Sequence, residues 1–190
     1  MIVLDNTFLS LLLHPKARPP RDPATGKPVA RLDDRIELLI ENWEINSETI
    51  LIPAPVLSEF LILADKAGPQ YLTDIDANRL FTIASFDQKS AVELAVMNLA
   101  LMRGKSRRAT AQGTWAKINF DRQIVAIARA NGANVIYSDD KGLESFAKQQ
   151  SISVMKTWEL PLPPAKQIDL PGVEAPKPKR AVANEPEDEV

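Results

Sequence analysis

Residues 1 to 4, MIVL, form a continuous apolar run with no polar alternation. Two further short runs, Thr49 to Ile52 and Asn134 to Tyr137, are also dominated by β-branched and other apolar residues. A strand with one wet face alternates in polarity, whereas a strand covered on both faces does not. These runs therefore predict central strands of a parallel sheet. The segments between them carry helical spacing. Leu32, Ile36, Leu39, Ile40 and Trp43 share one side of a helix over 32 to 44. Val56, Leu57, Phe60, Leu61 and Leu63 point inward from a helix over Ala54 to Ala67, which Gly68-Pro69 is expected to stop. Residues 80 to 86 read as a strand, Ser90 to Leu101 as a helix, and Asn119 to Asn131 as a helix closed by Gly132. A short helix is expected from about Gly142.

Strands alternating with helices predict an α/β domain with a mainly parallel sheet, spanning residues 1 to 160. The Pro-, Lys- and Arg-rich stretch 16 to 31 and the basic stretch 103 to 117 read as loops. Over 161 to 190 proline is frequent, periodicity ends and the last residues, ANEPEDEV, are acidic, so a disordered tail is expected there.

Composition narrows the chemistry. There is no cysteine, and His14 is the single histidine. Thiolate metal sites, cysteine nucleophiles and multi-histidine metal sites are excluded. His14 itself closes an apolar helical stretch and reads as structural. Any demanding reaction must rest on carboxylates or hydroxyls. The net charge of −2 means that attraction to nucleic acid must come from local patches. The apolar N-terminus is short and broken by Asp5, so no membrane span is expected and a cytoplasmic location follows.

The acids stand at telling positions. Asp5 ends the first strand, and Asp139 and Asp140 follow the strand that ends at Tyr137. Glu59 lies early in the helix after the second strand, and Asp121 is expected in the first turn of its helix. In open parallel sheets these are all places near one edge, the carboxyl ends of the strands. Singly, each acid has an ordinary role as a helix cap, a first-turn residue or a turn residue. Jointly they predict convergence. Clustered carboxylates repel, and a divalent cation relieves the repulsion. Oxygen-only ligands favour Mg²⁺ or Mn²⁺, ions suited to phosphate chemistry.

Three segments resemble the PIN-domain ribonucleases, particularly the VapC-type toxins of bacterial toxin–antitoxin pairs. MIVLDNTFLS is similar to that family's opening strand with its first Asp, and IPAPVLSEFL to the segment bearing its Glu. KINFDRQIVAIARANGANVIYSDDKGLESFA resembles its ending: an Asp opening a helix, a strand, then a Ser/Thr-x-Asp turn. The resemblance covers most of residues 1 to 158. It implies a PIN-like α/β/α sandwich and Mg²⁺ or Mn²⁺ held by Asp5, Glu59, Asp121 and Asp140. Asp139 is an additional ligand candidate. Asn6, Thr7 and Ser138 would support the ligands through hydrogen bonds. It further implies cleavage of RNA, a homodimer and a cognate antitoxin. The insertion HPKARPPRDPATGKPVAR and the tail depart from the family's minimal pattern.

Arg103, Lys105, Arg107, Arg108 and Lys117 form a basic cluster ahead of Asp121, suited to holding an RNA backbone. The ordinary reading of such a cluster is a solvated loop. Trp115 would stack on a base or anchor packing. Among other classes, a phosphatase with an Asp nucleophile after strand one needs a second acid two residues on, where Thr7 stands. A receiver domain would leave Asp121 without a role. A non-catalytic PIN-like module that binds RNA or protein is the remaining alternative.

Overall fold

The computed structural model describes residues 1–15, 17–103 and 114–164. The chain opens with strand β1 (Ile2–Leu4) and helix α1 (Asn6–Leu13), followed after a loop by α2 (Leu32–Ile45) and β2 (Ile50–Pro53). Helix α3 (Ala54–Ala64) leads through a 3-10 turn, Asp65–Ala67, into α4 (Gly68–Ala77) and β3 (Phe81–Ala84). Then come α5 (Gln88–Arg103), α6 (Trp115–Ala130), β4 (Val135–Tyr137), α7 (Lys141–Gln149) and β5 (Ser153–Met155). A second 3-10 turn, Thr157–Glu159, follows.

The five strands form one all-parallel sheet in the order β3-β2-β1-β4-β5. Every residue of β1 and β2 is buried. Since successive strand residues point to opposite faces, both faces of the sheet centre are covered, which is the α/β/α sandwich expected. β1 is the middle strand. Leu4 stands beside Tyr137 of β4, and Val3 beside Leu51 of β2, so the carboxyl ends of these strands lie close to one level. The chain extends the sheet first from β1 through β2 to β3, then returns to the other side of β1 with β4. That reversal of direction next to β1 creates a crevice at the strand ends.

The buried apolar runs became strands, but several boundaries moved. The expected helix over Ala54 to Ala67 ends at Ala64, because Asp65 turns the backbone to φ 48°. Gly68-Pro69 does not stop a helix but opens α4. Proline is at home in a first helical turn, where its missing N–H has no partner to lose. Leu63, expected inward, is 63% exposed, and the buried face of α3 is Val56, Phe60 and Ala64. Helix α6 starts at Trp115, four residues earlier than expected, with Thr114 Oγ1 accepting from Lys117 N at 3.3 Å. Asp121 is therefore in the second turn, not the first. Arg103 ends α5, so the expected loop over 103 to 117 is helical at both ends. Residues 104 to 113, Lys16 and the tail from 165 lie outside the described residues. Gly132, at φ 72°, closes α6 as expected. No helix among the described residues is long and apolar enough to cross a membrane.

Aromatic rings fasten α1 and α2 to β4. Phe8, with no exposure, meets Tyr137 edge-on at 5.2 Å, and Trp43 meets the same ring at 5.3 Å. Phe8 follows Asp5 by one helical turn, so its packing also seats the start of α1. Truncation to Phe8→Ala should lower unfolding free energy by about 3–5 kcal/mol, the range for a buried phenylalanine. Urea denaturation of the two proteins measures it, and a loss under about 1 kcal/mol would show that this cluster does not anchor the helix.

Candidate active site

A cleft of about 600 Å³ opens at the carboxyl edge of the sheet. Asp5, Asn6, Thr7, Ser58, Glu59, Ile62, Ala116, Lys117, Phe120, Asp121, Ile124, Asp140 and Leu143 line it. Four segments thus deliver four of the five acids that the sequence singles out. Asp5 follows β1, Glu59 comes from α3, Asp121 from α6, and Asp140 from the turn between β4 and α7.

Asp5 is 6% exposed and caps α1, its Oδ1 accepting from Phe8 N at 3.0 Å. The Ser138 hydroxyl also hydrogen-bonds its carboxylate. Ser138 is fully buried, and its Oγ accepts from Asp140 N at 3.1 Å, so one hydroxyl ties the first acid to the last. Asp140 caps α7 in the same way, Oδ1 accepting from Leu143 N at 2.9 Å. Its Oδ2 accepts from Lys117 Nζ at 2.5 Å. For Asp5 the helix cap that the ordinary reading foresaw is present, whereas Asp140, read as a turn residue, caps a helix as well. The Asp140 cap engages Oδ1 and leaves Oδ2 for a cation.

Asp139 turns elsewhere. Thr157 donates to it twice, from N at 2.8 Å to Oδ1 and from Oγ1 at 2.6 Å to Oδ2. Asp139 is not among the residues lining the cleft. Behind the same turn, buried Lys156 donates to the Asp140 carbonyl at 3.2 Å and pairs with Glu144 at 2.9 Å. The β4–α7 turn is thus gripped from the segment that follows β5, a support that the sequence reading did not find. Asn6 and Thr7 line the cleft, and Thr7 N hydrogen-bonds Asp5.

Of the basic residues expected to hold RNA, Lys117 lies inside the cleft, one helical turn before Asp121. Arg103 is exposed at the end of α5 and does not line the cleft. Lys105, Arg107 and Arg108 fall outside the described residues. Trp115 borders a separate hollow of about 260 Å³ with Asn98, Leu101, Met102 and Arg122. The Arg122 guanidinium sits 5.6 Å from its ring and donates to Asn98 Oδ1 at 2.9 Å. His14 stacks on Tyr71 at 6.3 Å, consistent with a structural role.

The electrostatics are those of crowded, poorly hydrated acids. Burial pushes the Asp5 carboxyl up to about 7, against the hydrogen bonds from Ser138 and Phe8. Burial, then Asp140 and Glu59, push Asp121 up to about 7, with Lys117 opposing. Burial would raise Asp140 too, but the bonds from Lys117 and Leu143 N outweigh it and hold this acid below its usual value. Lys117 is raised by its bond to Asp140, with Asp121 and Glu59 adding to the effect.

An all-carboxylate donor set in a cleft where two acids resist ionising fits a hard divalent cation. As the side chains stand, no three acids among the described residues are close enough together to hold one. Glu59 is exposed, and Asp140 Oδ2 is engaged by Lys117.

No family model and no curated protein matches the sequence. Among solved structures, the chain is similar to DNA-bound VapBC from Salmonella typhimurium. The identity is 17%, the TM-score 0.49, and the match covers 82% of this chain and 97% of the other. VapBC2 from Rickettsia felis, bound to a fragment of its promoter DNA, gives 18% identity and a TM-score of 0.48 over 82% and 98% of the two chains. VapC20 of Mycobacterium tuberculosis, a toxin that cleaves the sarcin-ricin loop, gives 15% and 0.46 over 76% and 94%.

The raised acids set a pH dependence for the metal-free protein. Asp5 and Asp121 ionise near 3.8 when unfolded and near 7 when folded, so over that window the native state binds more protons. Their contribution to stability is full below about 3.8 and is lost as pH rises to about 7. Denaturation in EDTA should therefore give lower stability at pH 7.5 than at pH 5, and Asp121→Asn should flatten that slope. An unchanged slope in the variant would show that Asp121 does not carry it.

Proposed function

We propose that this chain is a metal-dependent endoribonuclease that hydrolyses RNA phosphodiester bonds, and that it is the toxin of a toxin–antitoxin pair. The observation that carries the first part is the meeting of Asp5, Glu59, Asp121 and Asp140 in one cleft from four separate segments. The second part is drawn from the sequence resemblance to VapC-type toxins. Asp5, Glu59, Asp121 and Asp140 would hold Mg²⁺ or Mn²⁺, which when bound neutralises the acids and the charge that develops on a phosphate.

The chain's own residues have separable tasks. Phe8 N and the Ser138 hydroxyl fix the Asp5 carboxylate, and Leu143 N fixes that of Asp140. Such pre-set oxygens reduce the ordering left to do when a ligand arrives. Asn6 and Thr7 stand at the cleft wall within the same segment as Asp5, and Thr7 N hydrogen-bonds its carboxylate. Lys117 and the basic stretch Arg103, Lys105, Arg107 and Arg108 would supply positive charge toward the RNA backbone. In the reaction, water adds to phosphorus in line with the departing 3′ oxygen. The P–O3′ bond breaks, and the products carry a 5′-phosphate and a 3′-hydroxyl.

The pairing with a cognate antitoxin and the homodimer belong to the same resemblance. An apolar stripe on α5 supports a protein contact of some kind: Val92, Val96 and Leu99 are each half exposed or more, at helical spacing.

The test is cleavage of a pool of structured RNAs by the purified full chain with Mn²⁺ or Mg²⁺. Cleavage should appear with 5′-phosphate ends and disappear in EDTA. Asp5→Asn and Asp121→Asn should each lower the rate by at least about 100-fold, as loss of a charge-stabilising group at a reacting centre does. A 2′,3′-cyclic phosphate product would exclude water attack. Absence of both cleavage and Mn²⁺ binding would favour the alternative, a non-catalytic PIN-like module that binds RNA or protein.

A further inference from the structure

Among the described residues the cleft carries four acidic side chains and one basic one, Lys117. That lysine is not a peripheral charge. Its Nζ donates to Asp140 Oδ2 at 2.5 Å, and it is electrostatically coupled to Asp121 and Glu59 as well. Three acids from three elements thus act on one ammonium. The same three carboxylates do not close on one another tightly enough to form a ready nest for a metal ion. Asp140 Oδ1 is committed to the helix cap, so Oδ2 is its oxygen toward a cation, and Lys117 holds it.

We propose that Lys117 is a tethered counter-ion that occupies the cation position of the acidic cleft, and that a divalent ion binds only by displacing it. The inference rests on the metal-nuclease reading above. Displacement is mechanically simple. The lysine side chain is half exposed, at 50%, so its ammonium can swing into water without repacking the core. Lys117 is also one turn from Asp121 on the same helix, so α6 keeps it beside the acids whatever the substrate does. The tether makes the lysine a competitor of fixed local concentration. It neutralises part of the cleft when metal is scarce and sets a threshold for metal loading.

The experiment measures Mn²⁺ binding to the full chain at pH 7.5 by calorimetry and by the electron-spin signal of free Mn²⁺. Wild type is compared with Lys117→Met and Lys117→Gln, which remove the competing charge, and with Lys117→Arg, which keeps it. Circular dichroism of the metal-free proteins reports folding. The two neutral variants should bind Mn²⁺ roughly three- to tenfold more tightly, the scale of a partly exposed ion pair coupled to several acids. Lys117→Arg should stay within about twofold of wild type, since the charge remains. Neutral variants that bind no more tightly than a wild type that binds Mn²⁺ and cleaves RNA would overturn this inference and leave the nuclease reading standing. Tighter binding by Lys117→Arg equal to that of the neutral variants would overturn it too, since charge would then be irrelevant. No Mn²⁺ binding by any of the four proteins would overturn both.

Discussion

Parallel pairing of β1 with strands on both sides is the constraint on which the cleft depends. Because β2 and β4 run in the same direction as β1 and in step with it, their carboxyl ends arrive at one edge. The residues immediately beyond those ends, Asp5 after β1 and Ser138 to Asp140 after β4, are then neighbours despite a separation of more than 130 positions in sequence. The return of the chain from β3 to β4 keeps the connections after β1 and β4 from covering each other. A crevice at such a reversal needs no special residues to form, only the strand order.

Within that frame, stability and chemistry use different atoms of the same residues. Asp5 and Asp140 are helix N-caps, and each satisfies the backbone of its helix through Oδ1. An N-cap carboxylate is held in one orientation by the helix it serves. Ser138 couples the two, touching the carboxylate of Asp5 and the backbone of Asp140. The structural and the chemical readings of these acids, which look like competitors in the sequence, therefore reinforce each other. Asp139 illustrates the opposite case. Both of its oxygens accept from Thr157 and it does not line the cleft, although its charge helps to push the Asp5 carboxyl up.

The strands were legible wherever burial on both faces left an unbroken apolar run, as in β1, β2 and β4. β5 was not, because Ser153 is exposed and only Val154 and Met155 are partly covered at the sheet edge. α4 was hidden by Gly68-Pro69, which reads as a stop from one side and as a start from the other. The position of the acids along the chain was readable, since it follows from strand ends. The place of Lys117 was not. Its neighbours in sequence are basic and polar, and only the cap at Thr114 reveals that the helix already includes it. Lys117 and Asp121 stand four residues apart, the one cue in the sequence that both would face the same way on a helix.

The charge balance of the cleft bears on what can enter it. Among the described residues, four acids against one lysine leave a surplus of negative charge if all are ionised. The surplus is reduced because burial pushes the Asp5 and Asp121 carboxyls up to about 7, with Asp140 and Glu59 adding to the effect on Asp121. It is not abolished, since Asp140 stays ionised with Lys117 beside it. A polyanion approaching such a surface is repelled at close range, and a net charge of −2 leaves any attraction from afar to local basic patches. A phosphodiester substrate can therefore settle at these carboxylates only together with added positive charge. Lys117 alone cannot supply it while it pairs with Asp140. The same acids that would repel an RNA from the empty cleft are thus the ones that would make its binding conditional on a cation.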